Sequence, residues 1–228
     1  MIVVVIRSYN RPTYLRNTLS SIRASLANAP QPPACFVIYD DGSTDAETRS
    51  ILKAYSDVEA FHVVLHKNNV GCSQSYLDAL QHIRQEWSAA SHCVIMDNDT
   101  VVSSDWLRTL TQHYREAEVM WPNDRILLSG FHPTNSHQNT IHKVHHHFHE
   151  RSSVGAVCYY FSTACIPDIE RGWRKNADWG VNKIFHNEPL HRMCGLNKGV
   201  VNHVGAIGLH SKPHKYDRDT HFEKNYIR

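Results

Sequence analysis

Strand-like apolar runs alternate with helix-like stretches through the first 117 residues, and this rhythm constrains the fold more than any other feature of the chain. The β-branched run at 2–6 is followed by a polar turn and then by Leu15, Leu19, Ile22 and Leu26, spaced as one face of a helix. "CFVIYD" at 35–40 reads as the second strand. "DGSTDAET" then turns into a helix carrying Ile51, Leu52 and Tyr55, and Thr44 with Glu47 has capping-box spacing. "FHVVLH" at 61–66 repeats the strand pattern, Tyr76, Leu77, Leu80, Ile83 and Trp87 mark another helical stripe, and "HCVIMD" at 92–97 is the fourth strand.

Strands alternating with helices call for parallel strands joined by right-handed crossovers, with helices on both sheet faces. In such sheets ligands bind at the carboxyl ends of the strands. Three of the four strands end in polar residues: Ser8 to Asn10, Asp40 with Asp41, and Asp97 to Asp99. These ends are expected along one edge of the sheet, where clustered carboxylates need a cation or hydrogen-bond donors. Alone, Asp-Asn-Asp reads as a turn, because short polar side chains bond to nearby backbone. Two carboxylates one residue apart also offer oxygen ligands to Mg²⁺ or Mn²⁺.

Charge and hydropathy remove other classes. Twenty-four Lys and Arg against twenty-two Asp and Glu give a net charge of +2 without a dense basic block, so no nucleic-acid partner is expected. No uncharged apolar run approaches the ~20 residues needed to cross a bilayer, and the N-terminal run reads as a strand, not a signal. Six cysteines without C-x-x-C spacing fit a reduced, cytoplasmic setting.

Beyond residue 117 the rhythm loosens. "RILLSG" and "AVCYYFS" look like strands, separated by a polar, His-rich stretch at 131–150 with little periodicity, expected to be an irregular functional or disordered loop. The run at 142–149 has neither the cysteines nor the H-E-x-x-H arrangement of a known zinc site. With no linker or internal repeat, one domain over 1–228 is expected.

"SYNRPTYLRNTLSSI", "IYDDGSTD", "NNVGCSQSYLDAL" and "IMDNDT", in this order and spacing, resemble family 2 glycosyltransferases with the GT-A fold. The resemblance implies an α/β fold with a Rossmann-like, mostly parallel central sheet, a nucleotide-sugar-binding half at 1–117 and an irregular acceptor-binding half at 118–228. It implies a nucleotide-diphosphate sugar donor contacted by Ser8, Asn10, Arg11, Asp40, Asp41 and Asn69. It further places Asp97 toward the ribose and Asp99 on a Mn²⁺ or Mg²⁺ ion bridging to the diphosphate.

Inverting transfer needs a base to take the acceptor hydroxyl's proton. Family members place an acidic residue for this at a helix start past mid-chain, which here is Asp178 in "KNADWGVNKIF"; an N-cap aspartate is the competing reading. Where relatives often show two adjacent acidic residues, this chain has Ala177 and Asp178. Several GT-A enzymes use a late histidine as a metal ligand, which points to His203 before His210. Trp121, Trp173, Trp179 and Tyr159 offer aromatic faces for a sugar ring, although such residues are commoner in cores.

The implied reaction moves a single sugar to a hydroxyl of a glycan or glycoconjugate acceptor. A silent nucleotide-sugar or glycan-binding module is the alternative, and Asp178 separates the two. A nucleotidyltransferase is disfavoured, because "SYNRPTYL" has no glycine with which to cradle a triphosphate.

Overall fold

The computed structural model describes residues 1–131 and 141–205. The N-terminal half runs β1 (Ile2–Ser8), α1 (Pro12–Asn28), β2 (Ala34–Asp40), α2 (Ala46–Ser56), β3 (Phe61–Leu65), α3 (Cys72–Glu86), β4 (His92–Asp97), β5 (Thr100–Val102) and α4 (Trp106–Met120). The rest adds β6 (Arg125–Ser129), β7 (Ile141–Val144), β8 (Phe148–Arg151), β9 (Cys158–Ser162), α5 (Ile166–Asn187), β10 (His191–Leu196) and β11 (Val201–His203).

One sheet takes strands from both halves of the chain in the order β3-β2-β1-β4-β9-β6-β10-β8-β7. The first four strands are parallel, as the alternation requires. Past β4 the sheet is mixed: β9 is antiparallel to β4 and β6, β10 is parallel to β6, and β8 is antiparallel to β10. That second half reached the sheet through hairpin-like and long-range pairings that carry no helical rhythm.

β1 shows why its run is unbroken. Ile2, Val4 and Ile6 face one core with Leu15, Leu19, Ile22, Leu107 and Leu110 from α1 and α4. Val3 and Val5 face the other with Leu80, Ile83, Ile169 and Phe185 from α3 and α5. A strand buried on both faces needs apolar side chains at every position. Leu26, expected on the buried face of α1, is 37% exposed.

Two local expectations shift. The cap of α2 is Asp45, whose Oδ1 accepts from Thr48 N at 2.7 Å, one residue later than the Thr44/Glu47 box, since Thr44 N already donates to Asn10. The His-rich stretch is not wholly irregular: β7 and β8 form a hairpin on the sheet's outer edge, and its approach at 132–140 lies outside the described residues.

All six cysteines are free, four of them buried. Among the described residues no helix is long and apolar enough to cross a membrane.

Candidate donor and metal site

The carboxyl ends of β1, β2 and β4 lie side by side, and the three polar strand ends meet there. After β1 the chain takes two successive left-handed residues, Asn10 (φ 51) and Arg11 (φ 58), before Pro12 starts α1. Asn fits this conformation better than most residues because its short side chain can bond locally. Here Asn10 Oδ1 accepts from Thr44 N and Asp45 N, both at 3.0 Å, while its own N donates to Ser43 Oγ at 2.7 Å. The first loop is thereby stitched to the second.

Asp40 closes the second loop on itself, accepting from Ser43 N at 2.7 Å and from Ser43 Oγ at 2.6 Å. Asp41 reaches the third loop, accepting from Asn69 Nδ2 at 2.7 Å, Val70 N at 2.8 Å and Gly71 N at 3.0 Å. Both aspartates are buried and spend their oxygens on shaping loops. Gly42, directly after them, has φ 71, and a Cβ there would lie 2.5 Å from the carbonyl carbon of Asn68, so only glycine fits. Ser8, at the end of β1, leaves its Oγ buried and without a partner among the described residues.

Asp97-Asn98-Asp99 forms a turn that carries two carboxylates, the candidate ligands. Thr18 of α1 pins it, its Oγ1 lying 2.8 Å from Asn98 O and 2.7 Å from Thr100 O. β5 then pairs antiparallel with β11, setting His203 opposite Thr100, and Val204 N donates to Asp99 O at 2.8 Å. This pairing carries His203 Nε2 to 3.2 Å from Asp99 Oδ2, the oxygen that also accepts from Arg11 Nη1 at 2.7 Å.

Burial alone would push the Asp99 carboxyl up, but His203 and Arg11 outweigh it and hold the group below its ordinary value. Burial pulls His203 down, and the hydrogen bond and charge of Asp99 more than reverse this. Among the described residues Asp99 Oδ1 is buried with no partner. Leaving a charged acceptor so costs roughly 1–3 kcal/mol or more, and a hard divalent cation beside an imidazole removes the deficit. The donor set of Asp99 and His203 therefore fits Mg²⁺ or Mn²⁺. His210 lies outside the described residues.

Asp97 has a partner that the sequence reading missed. Arg7 stands opposite it in the β1–β4 register and donates to Asp97 Oδ1. The guanidinium also donates to Cys72 O at 3.2 Å and lies 4.8 Å over the Tyr76 ring, which stacks on Trp173 at 3.6 Å. An arginine inside the apolar run "IVVVIRS" was the available signal, because a charge in a buried strand must be paired. Arg7→Met is expected to destabilise the protein by about 2 kcal/mol, less than a fully buried pair because Asp97 keeps some exposure. Denaturant unfolding checks this; a loss under about 0.5 kcal/mol would make the pair a surface ornament.

Asp178 occupies the start of a helix by an unexpected route. α5 breaks at Asn176 and Ala177, and Ala177 has φ 45, so Asp178 opens the second half of the element. Such a backbone costs an L-residue about 1–3 kcal/mol and is tolerated where the surroundings enforce it. Asp178 Oδ1 accepts from Trp179 N at 3.0 Å, and partial burial, with a contribution from the Asp97 charge, raises its pKa. Of the aromatic candidates, Trp173 and Tyr159 are core residues and Trp121 packs on Phe148, whereas Trp179 is 50% exposed beside Asp178.

The model of the family described as "Glycosyl transferase family 2" matches residues 3–189, which contains every element above except β10 and β11. The chain belongs to glycosyltransferase family 2. No curated protein matches the sequence. Among solved structures, the GT-A glycosyltransferase fold recurs at low identity. GalNAc-T7 with UDP, GalNAc and Mn²⁺ aligns with TM-score 0.66 and 12% identity, over 93% of this chain and 46% of that one. S. aureus TarS 1–349 in complex with UDP-GlcNAc aligns with TM-score 0.59 and 16% identity, over 91% of this chain and 61% of that one. The mannosyltransferase PcManGT from Pyrobaculum calidifontis, in complex with GDP-Man and Mn²⁺, gives TM-score 0.55 and 17% identity, over 85% and 56%. This family 2 chain thus spans less than two thirds of each of these structures.

Proposed function

We propose that the protein is a metal-dependent, inverting glycosyltransferase that moves one sugar from a nucleotide-diphosphate sugar to a hydroxyl of a glycan or glycoconjugate. The observation that carries the reading is the convergence of Asp99, with its unpartnered buried Oδ1, and His203 at the same strand ends as Ser8, Asn10 and Asp97. Family membership, and the nucleotide sugars held by TarS and PcManGT, support the donor class.

Ser8 Oγ and the left-handed Asn10–Arg11 turn line the cleft for the nucleoside. Asp40, Asp41 and Asn69 act on it chiefly by shaping its walls, and Asp97, steered by Arg7, faces the ribose. Asp99 and His203 hold a Mn²⁺ or Mg²⁺ ion. Bound there, the ion supplies charge neutralisation to the departing diphosphate. Arg11, already on Asp99, adds a second positive group at that place.

Asp178 takes the proton from the acceptor hydroxyl, and Trp179 offers a ring face on which the acceptor sugar rests. Residues 118–228 serve the acceptor within a single GT-A domain, and the free cysteines favour a cytoplasmic setting.

A thermal-shift screen of nucleotide sugars tests the donor and the metal together. At 100-fold Kd a ligand stabilises by about 2.7 kcal/mol, which for a chain of this size raises Tm by about 5–11 °C. The shift is expected with Mn²⁺ and lost in Asp99→Asn. An equal shift without metal would overturn the metal assignment, and no shift with any donor would overturn the donor assignment.

A further inference from the structure

A second set of ligating side chains lies away from the cleft. His113 and Glu116, one turn apart on α4, meet His147 from the turn between β7 and β8, and one ligand atom from each lies within 4.8 Å of the others. We propose that His113, Glu116 and His147 bind a divalent transition-metal ion, Zn²⁺ foremost, which ties the edge hairpin to helix α4. None of the three belongs to the donor site, and neither α4 nor the hairpin supplies a residue to it.

The donor set decides the ion. Two imidazoles and one carboxylate form a borderline-soft set that suits Zn²⁺ and its neighbours and not Mg²⁺ or Ca²⁺. Tetrahedral ligation at ~2.1 Å puts ligand atoms about 3.4 Å apart. His113 Nδ1 is already 3.1 Å from Glu116 Oε2, so closing the set needs only a small movement of His147 on its turn.

The two rings stack with centroids 4.4 Å apart and an interplanar angle of 18°. Burial and the neighbouring His147 and His146 lower the His113 pKa, against the pull of Glu116. Three protein ligands would leave the fourth tetrahedral position to water or another group, and the His146 ring lies 4.1 Å from that of His147.

A comparable trio, Asp168, Glu188 and His191, shows what an already satisfied cluster looks like. Arg125 and Arg171 donate to Asp168 at 2.7 and 2.9 Å, and Arg171 donates to both oxygens of Glu188 at 2.7 Å. Guanidinium groups hold the place a cation would take. Among the described residues no arginine or lysine bonds to Glu116, whose partners are His113 and Gln112.

Sequence spacing hid the site, since His147 comes 34 positions after His113 and the run at 142–149 contains no second ligand pattern.

Isothermal titration of the full chain with Zn²⁺ alone, repeated on Glu116→Gln, His147→Asn and Asp99→Asn, tests the assignment. The expected result is a site that weakens at least about tenfold in Glu116→Gln and in His147→Asn and persists in Asp99→Asn. Glu116 and His147 are only half-buried, so circular dichroism should show both variants folded. As a second readout, saturating Zn²⁺ should slow amide exchange at 145–148 in the wild type and not in His147→Asn. Unchanged Zn²⁺ affinity and stoichiometry in both variants, or loss of the site only in Asp99→Asn, would overturn the proposal. The readout is binding, so it stands or falls independently of sugar transfer.

Discussion

Asp178→Asn is expected to lower kcat by about 10²–10⁴-fold, the range contributed by a positioned general base, while donor binding in the presence of Mn²⁺ stays at the wild-type level. Asparagine keeps the size of the side chain and can still accept from Trp179 N through its carbonyl oxygen, so the helix start should survive. It cannot take a proton. Single-turnover transfer and donor titration, measured side by side, separate the two effects. Retained transfer would remove Asp178 from the base role, and a wild type that consumes no donor with any acceptor would favour a binding module.

The pH dependence follows from the same residue. Burial, assisted by Asp97, raises the Asp178 pKa above the ordinary carboxylate value of about 3.9. A base works only when ionised, so kcat/KM should rise with pH through that raised pKa and then level off. The acidic limb should vanish in Asp178→Asn, and a limb that persists there belongs to another group.

Gly180→Ala should be the most damaging small substitution in the described part of the chain. A Cβ at Gly180 would lie 1.9 Å from Gly172 O, and one at Gly172 would lie 2.6 Å from Val181 Cα. The two halves of α5 therefore meet backbone to backbone, and the obstructing atoms are main chain that cannot rotate away. Overpacking of this kind costs about 3 kcal/mol, which lowers Tm by about 6–12 °C. Asp178 lies two residues before Gly180, so transfer should fall even at temperatures where the variant is fully folded. Wild-type Tm and activity together would show that the halves can separate without cost.

The parallel half of the sheet was legible because each strand and helix announces itself within a dozen residues. Val3, Val4 and Val5 in succession demand burial on both faces, and Leu15, Leu19 and Ile22 recur at the helical period. The same local reading put Ser8, Asp41 and Asp97 at the ends of neighbouring strands. It did not reveal that Asp40 and Asp41 would be occupied with Ser43 and with residues 69–71, because those bonds depend on how loops fold over one another.

What the sequence determined by itself was the strand order's raw material and the chemistry of the strand ends: apolar runs long enough to be buried, and carboxylates placed where a parallel sheet opens to a ligand. What only the tertiary structure decided was which distant side chains complete those ends. Pairing of β5 with β11 brings His203 to Asp99 across more than a hundred residues. The β1–β4 register sets Arg7 against Asp97, and the break at Ala177 aims Asp178. Periodicity reports the face a residue buries against its own element's neighbours; which partner stands opposite is settled by register and packing, whose energies are summed over the whole fold.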